Sequence, residues 1–270
     1  MVVCGAPTAR TGRVMQPGKL SRALASLQGL SKKAAAAALR KSLPQAGVGA
    51  LDYLTRPKMR GALGGPFNGQ RERRRIFEDI LYSFSPRAIV ETGTFRGTTT
   101  DYMATLAAVP VFSVELDAHS WGFSRARFLL DRRITLSHGD SRSFLRWLVS
   151  SGRVDPTVPC FFYLDAHWNE DLPLVAELDF ILGNFRSPLI MVDDFQVPFD
   201  QGYGFDTLAE VPFGLGMVAG ALARHAVRRV FFPAAASSAE TGARRGCLVL
   251  GNDESTQTLE RIESLRKWDM

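Results

Sequence analysis

Short apolar runs alternate along this chain with segments whose apolar positions recur at helical spacing. Residues 88–90, 109–115, 133–137, 159–164 and 189–192 read as buried strands. The intervening residues 98–108, 120–130, 141–149 and 171–182 read as helices; in the last of these, Leu174, Leu178 and Ile181 share one face. Strand and helix in repetition predict an open α/β fold with a parallel sheet. A helix over 208–224 follows, then strands over 228–232 and 246–250, read as an antiparallel hairpin that closes the sheet, and a last helix over 255–268. The connection 233–245 is long and rich in Ala and Ser, which predicts a mobile loop.

Upstream of the first strand, Ile76, Phe77, Ile80, Leu81 and Phe84 mark a helix over 70–84, with Asn68 as its expected N-cap. The glycine-rich stretch 61–69 reads as a hinge or loop. Arg71, Arg73, Arg74 and Arg75 form a cationic first turn, read as a solvated face; a second reading makes this loop and helix a lid over a ligand pocket.

Charge separates an arm from a body. The formal net charge is +6, yet residues 1–60 hold 11 Lys/Arg against one acid, Asp52, so the remainder is net acidic. The basic character therefore belongs to an N-terminal arm, residues 1–65, and residues 66–270 form the folded body. Residues 1–18 lack periodicity and are expected to be unfolded; residues 20–43 can form one helix or two. Three roles stay open for the arm: packing on the body or on a partner subunit (a homodimer included), lying on an anionic membrane surface, or serving as a targeting segment. Aromatic residues are not interleaved with its charges, so nucleic acid is not an expected partner. No apolar run is long enough to span a bilayer and no apolar signal core begins the chain. Three cysteines without a C-x-x-C spacing read as reduced thiols, which points to the cytoplasm.

The chemistry begins at residues 88–100, Ala-Ile-Val-Glu-Thr-Gly-Thr-Phe-Arg-Gly-Thr-Thr-Thr. An apolar strand ends in Glu91, two glycines four apart follow, and a helix starts. Gly93 permits a turn that brings backbone N–H groups close to a ligand, and the free N–H groups of the next helix attract an anion. Acids recur where the next two strands end: Glu115, with Asp117 as the fallback, and Asp140, followed by Ser141. Acids at three successive strand ends resemble class I S-adenosylmethionine-dependent methyltransferases over about residues 70–251. The resemblance implies a Rossmann-like, doubly wound seven-stranded sheet of order 3-2-1-4-5-7-6, its last strand antiparallel. It also implies S-adenosylmethionine as cofactor: Glu91, Gly93, Thr94 and Gly97 around the methionine end, Glu115 on the ribose, Asp140 and Ser141 at the adenine, and Asp165 beside the methyl group.

Strand 159–164 ends in Asp165-Ala166-His167 and strand 189–192 in Asp193-Asp194. Ligands of an open parallel sheet bind beyond these ends. Three carboxylates in one pocket repel, so one must hold a proton or a cation must sit among them. Oxygen-only ligands favour Mg²⁺, Mn²⁺ or Ca²⁺. The spacing resembles the divalent-metal-dependent O-methyltransferases of the catechol, caffeoyl-coenzyme A and macrolide-sugar types. It implies Asp165, Asp193 and Asp194 as ligands of a divalent cation that binds a hydroxyl of a small-molecule acceptor, with His167 and Asp165 as catalytic groups. The lysine that such enzymes carry nearby is missing here, and the ordinary pKa of His167, about 6.5, suits a base. Tyr203 and Phe205, in an aromatic loop past the Asp pair, are candidates to stack on the acceptor. Two other classes stay open: a non-catalytic nucleotide-binding scaffold tethered through the arm, and a metal-dependent hydroxylase- or hydrolase-like relative.

Overall fold

The computed structural model describes residues 34–270 apart from 36, 38 and 167–170. The chain divides into two units, residues 1–43 and 44–270. In the first, residues 34, 35, 37 and 39–42 are helical; the rest of the arm, and with it most of the helix expected over 20–43, lies outside the described residues. Residues 44–65, read from the sequence as the end of the arm, belong to the second unit.

The second unit opens with α1 (Gln45–Thr55). Two 3₁₀ turns, Pro57–Gly64 and Pro66–Gly69, lead into α2 (Arg71–Phe84), whose N-cap is Gln70 rather than Asn68. The strands and helices then alternate as expected: β1 (Ala88–Thr92), α3 (Thr98–Ala107), β2 (Val111–Glu115), α4 (Ala118–Arg127), β3 (Ile134–His138), α5 (Ser141–Ser150), β4 (Cys160–Leu164), α6 (Leu174–Asn184) and β5 (Pro188–Val192). A two-residue ladder, β6 (Thr207–Leu208) and β7 (Val211–Pro212), occupies the start of the segment read as one long helix, and α7 is confined to Leu215–Arg224. The chain ends with β8 (Arg229–Pro233), β9 (Leu248–Gly251), α8 (Asp253–Leu259) and β10 (Leu265–Asp269).

The sheet has eight strands in the order β10-β8-β9-β5-β4-β1-β2-β3. Strands β1 to β5 are parallel, and β9 runs antiparallel to both β5 and β8. The expected order holds for seven strands; the eighth is the correction. Residues expected to end the chain as a helix instead stop at Leu259 and return as β10, antiparallel to β8. An edge strand leaves a row of unpaired backbone groups, and β10 covers that row on β8. Trp268 of β10 stacks on Phe199, with ring centroids 5.9 Å apart.

Adjacent residues of the central strands bury to opposite faces, the mark of a sheet covered on both sides. Val90, Phe162 and Ile190 join Leu145, Leu178 and Leu222 in one core layer. Ile89, Phe161 and Leu189 join Phe77, Ile80 and Met103 in the other. Helix α1 lies so close to α4 that a Cβ on Gly122 would collide with the carbonyl of Ala46. No helix among the described residues is long and apolar enough to cross a membrane.

Candidate functional site

The carboxyl ends of β1, β2, β4 and β5 face one cavity of about 330 Å³, whose lining includes Glu91, Gly93, Glu115, Asp165, Asp194 and Asp206. Gly93 shapes its floor. Its φ is 90°, and a Cβ there would run into the backbone carbonyl of Asp165, so the turn after β1 and the end of β4 can meet only through a glycine. Gly97 ends the same turn, donating its N–H to Thr94 at 2.9 Å as α3 begins.

On the β1–β2 side, acids are held by neutral donors. Glu91 is buried and accepts hydrogen bonds from the Thr100 hydroxyl and from Ser113 at 2.6 Å. The Thr94 and Ser113 hydroxyls are 2.6 Å apart; because Ser113 gives its proton to Glu91, Thr94 donates to Ser113. Burial pushes the Glu91 carboxyl up to about 7 against the pull of these hydroxyls, and the charge of Glu115 adds to the rise. Glu115 is equally buried. One of its oxygens accepts from Phe95 N–H at 2.6 Å and the other from Asp117 N–H at 2.8 Å. Burial raises its pKa while these backbone bonds oppose the rise. Asp117, the fallback, is exposed and accepts from Ser120 N–H at 2.8 Å to cap α4.

A second cavity, about 40 Å³, shares Gly93 and Glu115 with the first and is also lined by Leu116, Asp140 and Ser141. Asp140 doubles as the N-cap of α5, accepting from Ser143 N–H at 3.1 Å, and pairs with Arg142 at 2.6 Å, which holds its carboxyl low. Behind this cavity lies Glu177, fully buried. Burial pushes its carboxyl up to about 7 although the Ser141 and Thr92 hydroxyls beside it favour the charged form. No bond among the three meets ordinary hydrogen-bond geometry.

On the β4–β5 side, acids are held by arginines. Asp193 is buried at the end of β5 and forms an ion pair with Arg73, each about 1% exposed. Its other oxygen accepts the Tyr163 hydroxyl, and Asp194 N–H donates to the Arg73-bound oxygen at 2.8 Å. Burial opposes the Arg73 charge most strongly, but Asp193 together with Cys247 and Tyr163 outweighs it and Arg73 stays cationic. Asp194 sits at φ 53°, a left-handed conformation that Asp tolerates better than most residues, and accepts from Arg245 Nε at 2.7 Å. Arg245 also pairs with Asp206. Asp165 is pushed far above the usual carboxylate range, first by burial and then by the charges of Asp193, Asp194 and Glu91.

The structure therefore brings Asp165, Asp193 and Asp194 together, as expected, but gives two of them cationic partners. Among the described residues, no group of three or more His, Cys, Asp or Glu is arranged to hold a metal ion. One oxygen of Asp193 takes two N–H donors, from Arg73 and Asp194, the other takes the Tyr163 hydroxyl, and Arg73 already supplies the counter-charge that a divalent ion would bring. The residues present do not fit the expected Mg²⁺ site. His167 lies outside the described residues. Tyr203, an expected acceptor-stacking residue, is instead packed in the core with its hydroxyl donating to Ala235 at 3.0 Å.

Arg73, Arg245, Asp206 and Tyr163 were not singled out as site residues in the sequence. For Arg73 a signal existed: it precedes Phe77 and Ile80 by four and seven residues, on the apolar face of α2 rather than the solvated one. The segment 233–245, expected to be mobile, is instead tied down. Glu240 is buried and accepts from the N–H groups of Glu72 and Arg73 at 3.0 and 3.1 Å, capping α2 from outside. Ser237 donates to Asp200 through its N–H at 2.7 Å and its hydroxyl at 2.8 Å.

No family model matches the chain, and no curated protein matches it. Several solved structures are similar to it at low identity. An O-methyltransferase from Bacillus cereus, in complex with S-adenosylhomocysteine (SAH), is 15% identical with a TM-score of 0.48, covering 76% of this chain and 90% of that one. A candidate O-methyltransferase from Klebsiella pneumoniae is 18% identical with a TM-score of 0.47, covering 81% and 96%. The O-methyltransferase TomG from Streptomyces achromogenes, involved in tomaymycin synthesis and in complex with S-adenosylmethionine, is 14% identical with a TM-score of 0.44, covering 67% and 80%. Likenesses of this degree carry no argument about activity, so the functional reading rests on this chain's own residues.

Proposed function

We propose that this chain transfers a methyl group from S-adenosylmethionine to a hydroxyl of a small-molecule acceptor. The observation that carries the reading is Glu115: a buried acid at the end of β2, with each oxygen fixed by one backbone N–H, standing where the two cavities meet. A carboxylate oxygen has more than one acceptor site, so both oxygens can still receive a ribose hydroxyl. The larger cavity then takes the methionine end, against Glu91 and the Gly93–Thr94 turn. Asp140, Ser141 and Leu116, around the smaller, border the adenine.

When bound, S-adenosylmethionine supplies an activated methyl group on a cationic sulfur. The chain's own residues do the rest. Glu91, poised near neutrality, loses its proton to meet the methionine ammonium. The wall formed by Asp165, Asp194 and Asp206 orients the acceptor hydroxyl toward the reacting end of the cavity. Asp165, on the cavity wall, takes the proton that the hydroxyl gives up; His167 is the alternative base, two residues on. Alignment of donor and acceptor is the main source of rate in such a site.

Calorimetric titration with SAH tests the reading. Micromolar or tighter binding is expected, with net proton release below pH 7 as Glu91 ionises. No binding to the folded protein sinks the assignment.

A further inference from the structure

We propose that two arginines, Arg73 and Arg245, stand in for a divalent cation at the strand ends, so that the acceptor side of this site works without bound metal. The inference rests on the methyl-transfer reading for its purpose, though not for its geometry.

Asp193 and Asp194, at the end of β5, each already face an arginine. Arg73 reaches Asp193 through one nitrogen and donates to the carbonyl of Arg245 through another at 2.7 Å. Arg245 in turn spans Asp194 and Asp206, two acids that line the cavity. Its backbone N–H is received by the side chain of Gln70, the residue before α2. The two arginines, the start of α2 and the 240–245 segment are thus one connected clamp on the β5 acids.

A cation could enter only by displacing this clamp. Arg73 cannot swing away to solvent, because it is buried on the same helix face as Ile76, Phe77 and Ile80. Moving it would unpack α2 and leave Asp193 both buried and unpaired, an arrangement proteins strongly disfavour. Arg245 is the movable member, its side chain 25% exposed. It is a positioning residue: it fixes Asp194 and Asp206 and sets one positive charge between them.

The test is titration of Mn²⁺ into the full-length protein, following the electron paramagnetic resonance signal of the free ion. The wild type is expected to leave that signal undiminished at millimolar Mn²⁺. Arg245→Met, which removes the positive charge between Asp194 and Asp206, is expected to quench it by about one equivalent, and Arg245→Lys to behave as the wild type. A wild type that takes up one equivalent, and loses it in Asp194→Asn, overturns the proposal. So does a folded Arg245→Met protein that stays blind to Mn²⁺, since the arginine would not then be what excludes the ion. If Arg245→Met does not fold, the wild-type titration decides alone. A parallel SAH titration in excess chelator separates the two readings. Binding that requires Mg²⁺ defeats the metal-free site. Absence of SAH binding with and without Mg²⁺ defeats the methyltransferase reading and leaves the Mn²⁺ result standing.

Discussion

The two halves of the site solve the same electrostatic problem differently. On the β1–β2 side, Glu91 and Glu115 are buried with hydroxyl and backbone N–H donors around them. Their pKa values rise, because neutral donors only partly replace water around a charge. On the β4–β5 side, Asp193 and Asp194 are compensated by full positive charges from Arg73 and Arg245. The first half is left ready to receive a cationic ligand, and the second already contains its cations. A sulfonium-bearing cofactor with an ammonium group fits the former; an uncharged acceptor hydroxyl fits the latter.

The sharpest way to break this contrast is Arg73→Met. Removing one partner of a buried pair leaves an uncompensated charge, so unfolding free energy in urea should fall by about 3–5 kcal/mol. The double variant Arg73→Met/Asp193→Asn should recover much of the loss. If the single variant costs no more than an exposed ion pair, the second half is not held by charge compensation.

Next comes Glu177→Gln, at a buried acid with only hydroxyls beside it. The folded-state pKa of Glu177, about 7, lies above its ordinary value of 4.5. The folded protein thus holds a proton that the unfolded chain has lost, and stability contributed by this group falls as pH rises from about 4.5 to about 7. Above that window the charged carboxylate costs on the order of 3 kcal/mol. The variant should therefore raise the melting temperature at pH 8 and change it little at pH 4.5. An equal effect at both values would mean the carboxyl does not titrate in this range.

Smaller effects sharpen the assignment within the first half. Glu115→Ala should weaken SAH binding by about 1–3 kcal/mol, the worth of hydrogen bonds to a charged group. Asp117→Ala should leave that affinity unchanged and cost about 1 kcal/mol of stability through its lost cap on α4. The reverse outcome, read by calorimetry and thermal melting together, would move the ribose role to Asp117.

Strands β1 to β5, β8 and β9 were legible in the sequence as alternating strand and helix signals, and their order as what the resemblance to class I methyltransferases implies. The same alternation placed Glu91, Glu115, Asp140 and Asp165 at strand ends, where an open sheet binds ligands. The eighth strand was not legible: residues 265–269 pair with β8 only because that edge is uncovered, and no local pattern announces an uncovered edge.

The division within the site has the same origin. Phe95 and Asp117, the N–H donors to Glu115, stand 20 and 2 residues from it, within neighbouring strand–turn units, so the sequence could place that acid and its surroundings together. Arg73 and Arg245 reach Asp193 and Asp194 across 120 and 51 residues. The sequence by itself determined where the acids stand, because strand ends are set by local hydrophobic pattern. Only the tertiary structure decided which of them carry a counter-charge, because a counter-charge is a matter of which distant chain folds back against them.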